Sequence, residues 1–282
     1  MHDLHYNRIL HQLASFTFLA HSQLLLCWRT KSKKSLYYSI KTLREKNFIG
    51  TLKYRFDPKA GRVEDVHYIK PKGLKYLQKH FWQQISQNKI PKQKPAFYND
   101  YQHRKDLISI HIRLRQEIWK STDDENNSRV VDFHSYFEKR KRPNIKRKET
   151  ATKLHLSNGY IIPDAAFTIE NNELRTLFLL ELHNWYRVKK ITQQLRQYWE
   201  VIANWIASSK YWIKSNPHVL IIFDKESTLR TTLERMVNDS YYIYLRNFYH
   251  FICLETYLNN PLHEWINLNQ ERHSLLNGRL AN

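Results

Sequence analysis

Only two cysteines, Cys27 and Cys253, occur in 282 residues, which leaves neither a disulfide framework nor a cysteine-based zinc site. Glycine is almost as scarce. Five in the chain, with no GK[ST] string, exclude a glycine-rich phosphate loop. No apolar run approaches the ~20 residues that a membrane helix needs. The opening MHDLHYNRILHQLASFTFLAHSQLLLCW lacks a basic leader followed by a small-residue cleavage site. These absences predict a soluble cytoplasmic protein without membrane insertion. Acidic side chains are also few: 26 Asp+Glu against 46 Lys+Arg give a net charge of +20. With eighteen tyrosines, that balance points to a nucleic-acid partner. An anionic membrane surface fits less well, since no basic amphipathic helix with a wholly apolar face is evident. The hydrophobic content of 41% suffices for the core of one or two domains.

Residues 6–19, YNRILHQLASFTFL, carry Ile9, Leu10, Leu13 and Phe16 at helical spacing. Ser22 offers a cap for a second short helix. A third helix is predicted in SKKSLYYSIKTLREKNFIG, where Leu36, Ile40 and Leu43 recur at four and three and Asn47 stands near the end. GTLKYRF, a DPKAG turn and VEDVHYIKPKG then read as two strands. KGLKYLQKHFWQQI closes the unit as a helix.

Residues 86–103, with Pro91 and Pro95 among polar residues, read as a linker. The expected domains are therefore 1–85 and 104–282. KDLISIHIRLRQEIW fits a helix through Leu107, Ile110, Leu114 and Ile118, with Glu117 beside the stripe, but also alternates as a strand would. Seven of the ten residues from Lys139 to Lys148 are Lys or Arg. Lys139, Arg140, Lys141, Arg142, Lys146, Arg147 and Lys148 form either a solvated loop or a second set of phosphate contacts.

GYIIPDAAFTI and LRTLFLLELH, joined by an Asn-rich turn, predict a β-hairpin. Two carboxylates, Asp164 and Glu181, lie inside these apolar runs, where they are costly unless paired or bound to metal. A two-residue loop at Asn171–Asn172 sets Asp164 opposite Leu179, so that Leu179, Glu181 and His183 share its face. Adjacent carboxylates repel unless a cation lies between them, and a hard ion such as Mg2+ takes oxygen ligands and retains waters. A buried ion-pair network accounts for the same residues. RVKKITQQLRQYWEVIANWI predicts a helix that places Gln194 and Tyr198 side by side. PHVLIIFDK reads as a buried central strand, STLRTTLERMVND as a helix capped by Ser227 or a neighbour, and HFICLETYL as a last strand. The sum is an α/β (α+β) fold.

IKTLREKNFIG is similar to the xxxLxxLxxxGxI pattern of winged-helix DNA regulators, with Asn47 where glycine is usual. That resemblance implies a winged helix-turn-helix. Its recognition helix would present Lys33, Lys34, Ser35, Tyr37, Tyr38, Lys41 and Arg44, and its wing Lys53 and Arg55. Pro163–Asp164 and Glu181–His183 resemble the motifs of the PD-(D/E)XK nucleases, with His183 in place of lysine, and Gln194 and Tyr198 resemble the QxxxY element of RecB-like members. A restriction-endonuclease-like mixed sheet with flanking helices is implied. Glu117 would match the acidic residue of the preceding helix, and Lys189 or Lys190 would offer a replacement cation.

Taken together, the motifs over residues 5–225 resemble the replication-relaxation family and the MOBC-type plasmid mobilisation relaxases. The resemblance implies a metal-dependent endonuclease, a nickase, acting at a plasmid transfer origin on duplex and single-stranded DNA, alongside other mobilisation proteins. Asp164 and Glu181 would hold Mg2+ or Mn2+, His183 would orient the nucleophile or shuttle a proton, and Gln194 and Tyr198 would position water or backbone. The alternatives are a non-catalytic DNA-binding accessory protein and a transcriptional regulator.

Overall fold

The computed structural model describes residues 2–28, 32–53, 61, 63–81, 100–121, 128–140, 148–171, 174–184 and 186–275. The chain forms two compact units, divided between Ile112 and Arg113.

The first unit begins with α1 (His2–Phe16), β1 (Leu19–Ala20), α2 (His21–Trp28) and α3 (Lys33–Glu45). A hairpin of β2 (Ile49–Leu52) and β3 (Val66–Ile69) and a helix α4 (Pro71–Phe81) follow. β3 lies between β1 and β2, antiparallel to both. This is the helix, helix, helix, hairpin, helix order read from the sequence. Leu10, Leu13, Leu19, Leu36 and Leu43 are fully buried. On α3 the four-and-three spacing turns Leu36, Ile40 and Leu43 inward and leaves the intervening cations in water. Ser32 caps this helix by accepting the Ser35 N–H at 3.2 Å.

The helix ends at Asn47, whose φ of 60° is the left-handed turn that glycine usually supplies. Phe48 N–H reaches back to the Leu43 carbonyl at 2.9 Å, closing a Schellman motif. Ser22, expected as a cap, lies inside α2 and donates to Glu64 Oε2 at 2.6 Å. Gln23 does the capping instead, accepting the Ala20 N–H at 2.9 Å, the reach-back half of a capping box.

α5 (Tyr101–Ser121) is a single helix, which settles the helix-or-strand ambiguity. Residues 101–103, assigned to the linker by sequence, are its first turn. In the second unit β4 (Arg129–Ser135) is followed by two small antiparallel pairs, β5 (Lys139–Arg140) with β6 (Glu149–Thr150) and β7 (Leu154–Leu156) with β8 (Gly159–Ile161). The hairpin β9 (Ala165–Asn171) and β10 (Leu174–His183) comes next.

Three short helices follow: α6 (Val188–Arg196), α7 (Tyr198–Ala203) and α8 (Ile206–Tyr211). The remainder is β11 (His218–Phe223), α9 (Glu226–Val237), a 3-10 helix (Ser240–Leu245), β12 (Tyr249–Cys253), α10 (Leu254–Asn259), β13 (Trp265–Asn267) and β14 (Arg272–His273). Seven strands make one mixed sheet in the order β14-β13-β12-β11-β10-β9-β4. β10, β11 and β12 run parallel and the other pairings are antiparallel. The predicted α+β class, a mixed sheet with flanking helices, is the fold observed.

Three local expectations give way. The helix expected over 187–206 breaks at Gln197 and again at Trp205, whose φ is 53°. α9 starts on Lys225 without a side-chain cap, so Ser227 lies within its first turn. The expected last strand stops at Cys253 and turns into α10. Residues after 260 add β13 and β14 to the sheet and bury Leu262, Trp265, Leu268 and Leu275. One sheet face, with Ala166, Leu177, Leu179, Val219, Ile221 and Phe223, packs on Ile191, Leu195, Tyr198 and Leu229 from the helices.

Candidate active site

The hairpin pairs Leu174 with Asn171, Leu179 with Ala166 and Leu180 with Ala165. The next step of that register sets Asp164 opposite Glu181. The sequence reading placed Asp164 opposite Leu179. The turn lies one residue further along, which slides the pairing by two and preserves parity. Asp164, Glu181 and His183 therefore do share a face. Asp164 Oδ2 accepts the Leu182 N–H at 2.8 Å, and the Asp164 carbonyl accepts the Tyr136 N–H at 2.9 Å. These bonds fix the aspartate at the mouth of the hairpin.

Glu181 is 2% exposed and faces the helices, flanked on β11 by Ile221. The Tyr198 hydroxyl donates to Glu181 Oε1, and the Gln194 side chain hydrogen-bonds the same carboxylate. Gln194 and Tyr198 remain four apart on a nearly continuous helical path across Gln197, so both reach one point. The helix path is braced from behind. Tyr242 donates its hydroxyl to the Thr192 carbonyl at 2.7 Å, and Tyr249 to the Leu195 carbonyl at 2.8 Å.

Burial, and then the charge of Asp164, push the Glu181 carboxyl well above the ordinary carboxylate range, against the opposing hydrogen bonds of Tyr198 and Gln194. Burial and Glu181 together hold the Tyr198 phenol well above its usual value, so that it acts as a donor. A divalent cation beside the two carboxylates would remove the conflict. Two oxygen ligands with retained water fit Mg2+ or Mn2+ binding of the kind completed by a substrate phosphate. Among the described residues no group of three His, Cys, Asp or Glu side chains is placed to hold a metal ion. Any ion here would rest on the two carboxylates, with water or phosphate filling its other positions.

Of the remaining site residues predicted from sequence, His183 lies on the face of the pair and the others do not act on Glu181. His183 is buried, its ring 5.5 Å from that of Phe223 and tilted to it. Glu117 is helical but ion-pairs with Lys120 at 2.8 Å and is not among the groups acting on Glu181. The same is true of Lys189 and Lys190, exposed on α6.

In the first unit Lys33, Lys34, Ser35, Tyr37, Tyr38, Lys41 and Arg44 are all exposed on α3. Tyr37 at 61% and Tyr38 at 54% are too open to be core residues. Lys53, Lys139 and Lys148 are exposed, and Arg140 ends β5. Arg55, Lys141, Arg142, Lys146 and Arg147 lie outside the described residues. Sequence reasoning missed Tyr242 and Tyr249, whose partners are separated from them by about fifty residues of chain. It also missed an exposed aromatic cluster at Trp199, Tyr241 and Tyr244.

Among the described residues no helix is long and apolar enough to cross a membrane. No protein-family model, curated protein or solved structure matches the chain.

Proposed function

We propose that the protein is a DNA-binding, metal-dependent endonuclease that nicks at a plasmid transfer origin, with the second unit cutting and the first reading the site. The observation that carries this is the Asp164–Glu181 pair. Two acidic residues at the open end of the β9–β10 hairpin share one face, with Glu181 buried and gripped by Gln194 and Tyr198. Among the described residues the side chains acting on the Glu181 carboxyl are Asp164, Tyr198 and Gln194, none of them a cation. The resemblance to mobilisation relaxases supports narrowing the substrate to a transfer origin, and the net charge of +20 supports DNA as partner.

On this reading Asp164 and Glu181 hold Mg2+ or Mn2+, which supplies charge neutralisation at the phosphate and a more acidic water. Tyr198 and Gln194 keep the Glu181 oxygens aimed and favour its ionised form. Asp164 is held at the edge of the hairpin by the Leu182 N–H. The exposed lysines and arginine of α3 neutralise phosphates, while Tyr37 and Tyr38 contact base edges.

The test is conversion of supercoiled plasmids, with and without a transfer origin, to open circles in Mg2+ or Mn2+. Origin-dependent nicking, lost in Asp164→Ala, in Glu181→Ala and with EDTA, is the expected result. A second reading is favoured by the absence of a third ligating side chain among the described residues: a non-catalytic DNA-binding accessory protein. Specific binding without cutting in either metal would establish that reading and overturn the first.

A further inference from the structure

On the solvent side of α6 and α7, away from Glu181, two adjoining grooves of about 510 and 460 Å³ share Arg196, Trp199 and Tyr241. The first is completed by polar groups, among them Asn158, Glu200 and Asn204. The second is completed by Asp239 and Tyr244. Trp199 is 39% exposed, Tyr241 40% and Tyr244 79%. Three large rings open to water in one place mark a surface that binds something.

Trp199 and Tyr241 are held rather than loose. Trp199 and Tyr241 meet edge to face at 6.3 Å. The Arg196 guanidinium lies 5.4 Å over Tyr241 and is ion-paired with Asp239, while the Tyr241 hydroxyl donates to the Arg196 carbonyl at 3.2 Å. The guanidinium is thereby charge-paired over the Tyr241 ring instead of free to meet a phosphate. A further lysine lies along the same helix side. Lys189 stands seven residues before Arg196, hence on the same side of α6, and is exposed.

We propose that this groove binds the unpaired bases of single-stranded DNA, Trp199, Tyr241 and Tyr244 stacking on base faces and Asn158, Glu200 and Asn204 meeting base edges. A planar ring with donors and acceptors on its rim suits aromatic walls interspersed with amide and carboxylate groups. A cationic approach leading to stacked rings is how proteins hold single strands without reading sequence. Duplex bases are shut away in their own stack, so the groove discriminates for strands already opened. This rests on the DNA-binding reading above and adds a separate hold on the strand freed by nicking.

The experiment is fluorescence anisotropy of the full chain with a labelled oligothymidine and with a labelled duplex of equal length, at several salt concentrations. Trp199→Ala and Tyr244→Ala should each weaken single-strand binding roughly 5- to 100-fold, the effect of losing one stacked base. Trp199→Phe should restore most of the affinity. Duplex affinity and the salt slope should stay unchanged, because no phosphate contact is removed. Tyr244 is so exposed that its replacement leaves the fold intact. Wild-type protein that binds duplex while the alanine variants bind oligothymidine as it does overturns the groove alone, and a protein-docking face becomes its reading. Wild-type protein that binds neither DNA overturns the DNA-binding reading itself.

Discussion

Glu181→Gln removes the charge at the centre of the candidate site and keeps its shape. The amide oxygen still accepts the Tyr198 hydroxyl, so the buried hydrogen bond survives. What disappears is the burden of a carboxylate that burial and Asp164 both drive towards protonation. The sign of the pH dependence follows. A carboxyl whose value is raised by folding contributes its full stability below the ordinary carboxylate range and loses it as pH rises through the folded value.

At pH 4 the wild-type group is largely protonated in both states, and the variant should melt close to it. At pH 8 the unfolded carboxylate ionises freely while the folded one resists. There the variant should be more stable by about 1–2 kcal/mol, the usual return from relieving a functional-site conflict. For a domain of this size that is roughly 2–8 °C in Tm. Calorimetric melts at the two pH values read the difference directly. Saturating Mg2+ should then stabilise the wild type at pH 8 and leave the variant alone, since only the ionised pair offers a cation site. A variant that melts lower than wild type at pH 8, or is shifted equally at both pH values, would refute the reasoning.

Two further outcomes follow from other parts of the molecule. His218 and His250 are buried and share a hydrogen bond of 2.9 Å. Burial depresses both, His218 to about 4 and His250 well below its usual value. Their stability contribution is present above pH 6.5 and lost as pH falls towards 4, so Tm should drop across that window and His250→Gln should flatten the drop. In the first unit, alanine at Lys34, Lys41 or Arg44 should each lower the slope of log affinity against log salt by about 0.9 on duplex DNA. Tyr37→Ala should instead relax sequence preference with the slope unchanged.

The parts of the fold visible in the sequence are those whose causes are local. The stripe of α3, the left-handed turn at Asn47 and the i,i+4 pairing of Gln194 with Tyr198 each depend on a few consecutive residues. The convergence of Asp164 and Glu181 was legible because strand parity survives a two-residue slide. The slide itself was not, since it depends on where the turn between β9 and β10 closes. Glu117 fits a helical acidic position by spacing, but its partner is the lysine one turn away.

The capping role of Gln23 escaped notice because serine is the stronger local signal, and tertiary contacts drew Ser22 to Glu64. β13 and β14 have three and two residues and exist only by pairing with β12 and each other. The Arg196–Trp199–Tyr241 groove joins segments some forty residues apart and has no linear motif.

Mn2+ binding, followed by the loss of its electron paramagnetic resonance signal on titration with protein at pH 8, tests the carboxylate pair most directly. Wild-type protein should take up Mn2+, and both Asp164→Asn and Glu181→Gln should abolish that uptake while remaining folded. Uptake that is absent in the wild type, or unchanged in both variants, would contradict a metal site on these two residues.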